Sequence, residues 1–158
     1  MSLANDYKGI SDRVTVIAAT TGNKTDKIRV AAYCRVSTDK TDQVNSFITQ
    51  MRYYTDYIKS NPKMILIDIY ADEGLSGTQA AKRDDFLRMI KDCEKGKIDY
   101  IITKSVARFA RNTVDALKYV RKLKALGIGV YFEEQCLDSL KSESELALGI
   151  YSVLALSL

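Results

Sequence analysis

Apolar positions along the chain fall into short continuous runs that alternate with stretches repeating every three or four residues. Ile28 to Val36 is a strand-like run, and polar residues begin abruptly at Ser37. Val44, Phe47, Ile48, Met51 and Ile58 then recur at helical spacing, which predicts an amphipathic helix from about Asp42 to Ser60. Asn61-Pro62 stops it. Met64 to Tyr70 reads as a mostly buried second strand, followed by a Gly-rich loop that contains Asp72. From Asp84 a helix is predicted through Phe86, Leu87, Ile90 and Cys93, with Gly96 just past its end. Ile98 to Thr103 is a third strand. Asn112, with Asp115 three residues on, begins a helix through Val114, Leu117, Val120 and Leu123 that Gly127 closes before a fourth strand, Ile128 to Phe132.

Strands alternating with helices predict an α/β fold: a mainly parallel sheet of four to five strands with helices on both faces and right-handed crossovers. Residues 1–27 are expected to form a peripheral, partly flexible arm, in which Val14 to Ile17 has the pattern of a short extended segment. Residues 28–141 form the α/β domain. From Ser142 to Leu158 the pattern is helical but leaves few positions polar, so this helix must be covered on more than one side. It is too short to span a membrane, which takes ~20 residues. Packing partly against a second subunit is the expectation.

In open α/β sheets chemistry gathers outside the carboxyl ends of the strands. Ser37, Asp72 and the Arg108/Arg111 pair, dispersed in sequence, all leave such ends and therefore meet on one edge. Arg35 lies two residues before Ser37, on the same strand face. Taken in isolation, a Ser at a strand exit is an ordinary turn former. Its company on the edge changes that reading.

Composition narrows the chemistry. The chain of 158 residues contains no His, which removes a Ser-His-Asp triad and any His base. Cys34, Cys93 and Cys136 lack metal-ligand spacing, and their odd number without a signal peptide fits reduced thiols in a cytoplasmic protein. Cys34 is expected to be a buried strand residue. The net charge is only +4, but from Lys104 to Lys124 seven cations face Asp115 alone, a local charge of +6 that favours a polyanion. For Lys118 to Lys124 a solvated helix face is the plainer explanation.

A hydroxyl, a carboxylate and several guanidinium groups without a metal-ligand set suit phosphoryl transfer. Arginine binds phosphate through a planar fork of donors and stays charged at any working pH. Serine attack on a phosphodiester gives a covalent intermediate, and arginines can neutralise the charge that develops. The base for Ser37 is left open between Asp72 and a hydroxyl pKa lowered by the flanking arginines.

Tyr33-x-Arg35-x-Ser37-Thr38 resembles the nucleophile motif of the serine recombinases, the resolvase and invertase group. The similarity runs through most of Ile28 to Leu154. Gln50, Asp72 in Asp-x-Gly-x-Ser-Gly, Arg83 in Lys-Arg-Asp-Asp-Phe and Arg108-x-x-Arg111-Asn-Thr each match a position that family uses around the scissile phosphate. The match is most similar to the large serine recombinases, the integrases and transposon recombinases. The resemblance implies a resolvase-like catalytic domain that cuts and rejoins double-stranded DNA through a 5'-phosphoserine link, with no cofactor and no metal. Dimers would assemble into a tetramer that holds two DNA sites, and no membrane would be involved. Ser37 would be the nucleophile. Arg35, Arg108 and Arg111 would hold the phosphate with help from Lys104 and Arg83, and Arg83, Gln50 and Asp72 would support the site; Tyr33 would pack. A catalytically silent DNA-assembly module of the same fold is the alternative.

Two departures from the family pattern stand out. Many resolvases have Asp immediately before the first arginine of the third loop, where this chain has Ala107, so the proton for the leaving oxygen must come from elsewhere. The terminal helix ends at Leu158, so an isolated catalytic domain, inactive alone and without the modules that choose DNA sequence, is expected.

Overall fold

A computed structural model describes residues 26–37, 40–74, 83–141 and 143–156, without the side chains of residues 37, 40–44 and 151–156. The expectations for the arm, including Val14 to Ile17, for the loop after Gly74 and for the hydroxyl of Ser37 lie outside the described residues.

Five strands form one sheet in the order β2-β1-β3-β4-β5. They are β1 (Ile28–Ser37), β2 (Met64–Gly74), β3 (Tyr100–Thr103), β4 (Gly129–Phe132) and β5 (Leu137–Asp138). The first four run parallel and β5 is antiparallel to β4. Parallel neighbours need crossovers, and the helices supply them: α1 (Lys40–Ser60), α2 (Asp84–Glu94), α3 (Val106–Phe109) and α4 (Thr113–Ala125), with α5 (Ser144–Leu156) at the end. The mixed α/β architecture is the one the alternating pattern predicts.

Boundaries differ where local chemistry overrides periodicity. The second strand continues four residues beyond Tyr70 to Gly74, so Asp72 is a ladder residue paired with Arg35 rather than a loop residue. A short helix, α3, occupies the segment between β3 and α4 that carries no repeating apolar pattern. Ser105 starts it, its hydroxyl accepting from the Arg108 amide at 3.3 Å. Asn112 caps α4 as predicted, with Oδ1 accepting from the Asp115 amide at 2.9 Å. Gly96 and Gly127 take the left-handed φ of 73° and 76° that ends their helices.

Each face of the sheet buries its own core. One gathers Tyr33, Phe86, Phe109 and Phe132 under α2, α3 and α4; the other gathers Cys34, Tyr54, Ile58, Tyr100 and Ile102 under α1. Full burial of each such side chain contributes ~1.5–3 kcal/mol. On the first face Phe86 is the hub, meeting Tyr33, Phe109 and Tyr119 edge-on with centroids 5.2, 5.1 and 4.9 Å away. No helix among the described residues is long and apolar enough to cross a membrane.

Candidate active site at the strand ends

β1 lies between β2 and β3, and its last residues are held from both sides. Ser37 ends the strand opposite Gly74, and Arg35 pairs with Asp72. A Cβ on Gly74 would lie 3.3 Å from the Val36 carbonyl oxygen and 3.6 Å from the Arg35 guanidinium, so the bare backbone there gives Arg35 room to lie over β2. On the other flank the Thr103 hydroxyl donates to the Tyr33 carbonyl at 3.1 Å.

On the α2 face, buried Asp72 is a staple. Its Oδ1 accepts from the Asp85 amide at 3.0 Å, and its Oδ2 accepts from the Phe86 amide at 2.9 Å and the Tyr33 hydroxyl at 3.0 Å. The two amides belong to the first turn of α2, whose unpaired donors and positive dipole end attract a carboxylate. Arg83, the residue before that turn, is thereby placed. Its guanidinium lies 3.7 Å from the Phe86 ring centroid and donates to the Phe109 carbonyl, tying α2 to α3. Burial raises the Tyr33 hydroxyl to about 12 despite the nearby Arg83 charge, so Tyr33 stays a neutral donor.

A cleft of about 1190 Å³ opens at the ends of β1, β3 and β4, beside α1. Arg35, Gln50, Lys104 and Arg108 line it, together with Tyr53, Tyr54, Glu133 and Glu134. Gln50 donates to the Arg35 carbonyl at 3.4 Å and to the Ser46 hydroxyl at 3.1 Å, which ties α1 to β1 two residues before Ser37. Lys104 and Arg108 are exposed, on a segment tied by hydrogen bonds to the turn after β4. There the Glu134 amide donates to the Lys104 carbonyl at 2.9 Å, and the Val106 amide donates to Gln135 Oε1 at 3.2 Å. Cys34, also on the wall, is buried, and burial followed by the Glu133 charge raises its thiol to about 12. It is therefore held as a neutral thiol.

The cleft thus brings Arg35, Gln50, Lys104 and Arg108 together beside the end of β1. Asp72 and Arg83 hold the start of α2 and do not line the cleft, and Arg111 is exposed beyond α3, also outside its lining. Sequence reasoning missed Glu133. Its Oε1 and Oε2 accept from the Tyr54 and Tyr53 hydroxyls, each at 2.6 Å. Burial raises its carboxyl above the ordinary glutamate range, partly offset by the Tyr54 hydrogen bond and the Lys104 charge. The rule that singles out Ser37 applies equally to Glu133, which directly follows the fourth strand.

The mostly parallel sheet presents cations at its strand ends, and a serine closes β1. The family model for the resolvase N-terminal domain matches residues 30–156, and the chain belongs to that family. A resolvase family site-specific recombinase from Streptococcus pneumoniae is similar at 28% identity and a TM-score of 0.64, over 83% of this chain and 87% of that one. The N-terminal catalytic domain of TP901-1 integrase is similar at 25% identity and a TM-score of 0.58, over 80% and 92%. The C-terminal catalytic domain of ISC1926 TnpA, an IS607-like serine recombinase, shares the fold at 23% identity and a TM-score of 0.54, over 67% and 69%. No curated protein sequence matches this chain.

Proposed function

We propose that this chain is the catalytic domain of a site-specific DNA recombinase that cuts and rejoins double-stranded DNA through a 5'-phosphoserine link at Ser37. The observation that carries the reading is the convergence of Arg35, Lys104, Arg108 and Gln50 on one cleft at the end of the strand that Ser37 closes, in a member of the resolvase family.

In the proposed reaction the Ser37 oxygen forms a bond to phosphorus and loses its proton. The 3'-oxygen of the broken strand leaves and takes up a proton. Rejoining reverses both steps with a new 3'-hydroxyl, so no external energy source is needed. Arg35, Arg108 and Arg111, with Lys104, neutralise the phosphate as charge develops. Arg83, Gln50 and Asp72 act as positioning residues; Asp72 suits that role better than a base, because its two oxygens already accept three hydrogen bonds. Assembly of two or more copies is part of the proposal. Leu146 and Ile150 on α5 and Val114 on α4 are 76%, 52% and 73% exposed, an apolar surface that a second copy of the chain would cover.

Incubation of the chain, joined to a sequence-specific DNA-binding domain, with DNA that carries paired sites for that domain is expected to give a protein–DNA adduct, and Ser37→Ala is expected to abolish it. An adduct that persists in Ser37→Ala removes Ser37 as the nucleophile. DNA-complex formation with no adduct from the unaltered protein would instead indicate a silent assembly module.

A further inference from the structure

Glu133 stands where an unpaired carboxylate would be a liability, in a cleft whose other charged groups are mostly cations. It follows β4 directly, and its own amide donates to the Thr103 carbonyl at 3.0 Å, so its backbone is fixed to the end of β3. The side chain is half-buried and reaches across to α1. There the hydroxyls of Tyr53 and Tyr54, adjacent in sequence and packed edge-on with centroids 5.0 Å apart, donate one to each carboxylate oxygen at 2.6 Å. Such short hydroxyl–carboxylate bonds are of the charge-assisted kind. One turn earlier on the same helix, Gln50 donates to the Arg35 carbonyl.

We propose that Glu133 is a positioning residue of the strand-end site: by clamping Tyr53 and Tyr54 it fixes the middle of α1 against the sheet and so holds Gln50, the Arg35 carbonyl and the end of β1 in register. The inference rests on the reading that this cleft handles a DNA phosphate, since only then does the register of Arg35 and Ser37 have a use. The clamp itself can be tested independently of that reading.

The energetic signature separates this role from a structural one. Burial opposes ionisation of Glu133 more than Tyr54 and Lys104 favour it, so the carboxyl is raised. Its folded-state pKa therefore lies above its unfolded value, and the charge is carried at a net cost to folding near neutral pH. The groups around it are Tyr53 and Tyr54 on α1, Cys34 and Arg35 on β1, Lys104 and Arg108 on the third loop, and Glu134 and Cys136 beside it. Glu133→Gln removes the charge and replaces one carboxylate oxygen by an N–H donor, so one tyrosine hydroxyl loses its acceptor on residue 133.

The experiment compares the unaltered chain with Glu133→Gln and with the Tyr53→Phe/Tyr54→Phe pair, reading thermal midpoints and amide hydrogen exchange. Glu133→Gln is expected to melt no lower than the parent at neutral pH. Amides of residues 45–58 and of Arg35 to Ser37 should exchange roughly tenfold faster, the effect of losing one hydrogen bond to a charged group, with Tyr100 to Thr103 unchanged. The double Phe variant should reproduce the local change. In the parent, exchange corrected for its intrinsic pH dependence should slow locally as pH falls through the carboxyl titration, because the protonated carboxyl is favoured in the closed state, and this should vanish in Glu133→Gln. Unchanged exchange in Glu133→Gln, or a uniform loss of protection with a lower midpoint, would overturn the proposal. Ser37→Ala should leave the clamp intact, so a failure of the nucleophile assignment is distinguishable from a failure here.

Discussion

Asp72 and Glu133 occupy the same edge of the sheet on opposite faces, and both have each carboxylate oxygen taken. Their partners differ in kind. Asp72 answers two backbone amides at the start of α2 and one buried tyrosine, so it completes a helix that would otherwise begin with orphaned donors. Glu133 answers two side-chain hydroxyls on the flank of α1, which needs no such help to form, and it sits in a cleft among cations. A carboxylate that satisfies backbone groups is part of the architecture. One that gathers side chains at an opening, with burial working against its charge, has a use beyond the architecture.

The strongest way to break the comparison is Asp72→Ala. It strands two backbone donors and a hydroxyl in a site where Asp72 is only 8% exposed. At roughly 1 kcal/mol for each buried donor left unpaired, the loss should be about 3 kcal/mol. Urea denaturation should show a lower midpoint with an unchanged slope. A loss under ~1 kcal/mol would mean that water replaces the carboxylate and that Asp72 is no staple. Glu133→Gln, by contrast, is expected to leave the midpoint where it was.

A second substitution probes how tightly the Glu133 face is packed. A Cβ on Gly129 would collide with Cε2 of Tyr100, whose ring fills the space beside β4. Neither the strand backbone nor this fully buried ring can shift freely. Gly129→Ala should therefore cost ~1–3 kcal/mol, as overpacking does. Combining it with Tyr100→Leu should give less than the sum of the two single losses, since the smaller side chain vacates the contact. Strict additivity in a thermal denaturation cycle would refute the contact.

Legibility in the sequence follows the same division. The strands and long helices could be read because burial on two faces imposes apolar runs and helical spacing, and the caps at Asn112, Gly96 and Gly127 are local chemistry. That Arg35 and Arg108 meet at the strand ends was readable from the rule that strand ends share an edge, and both line one cleft there. That Asp72 lies within β2 was not, because the ladder to Gly74 is set by pairing with β1 rather than by the residues themselves. The short helix α3 also escaped, being too brief to show a period. Glu133 was hidden for a different reason. Its meaning lies in Tyr53 and Tyr54, about 80 residues away, as the separations of 80 and 79 record.

The smallest effect comes from a third carboxylate at the other end of the strands. Asp99 accepts from the Arg29 amide at 2.9 Å, from Nε at 2.9 Å and from Nη2 at 2.8 Å. Burial pushes its carboxyl up, but the hydrogen bonds and charge of Arg29 outweigh this and hold it below the ordinary value. With the two side chains 37% and 30% exposed, solvent screening limits the pair to ~0.5 kcal/mol. The pH dependence has the opposite sign to that of Glu133. A lowered folded-state pKa means that the Asp99 contribution is present above the unfolded value near ~3.9 and is lost as pH falls through the folded value. The raised Glu133 carboxyl instead adds stability as pH falls through its folded value, and the gain is complete below the unfolded one. Asp99→Asn should thus lower the thermal midpoint slightly at neutral pH and leave it unchanged in strong acid. Glu133→Gln should erase a gain in acid. If the two variants shift the pH–stability curve in the same direction, the contrast between a paired surface carboxylate and a desolvated cleft carboxylate fails, and the clamp on α1 loses its energetic signature.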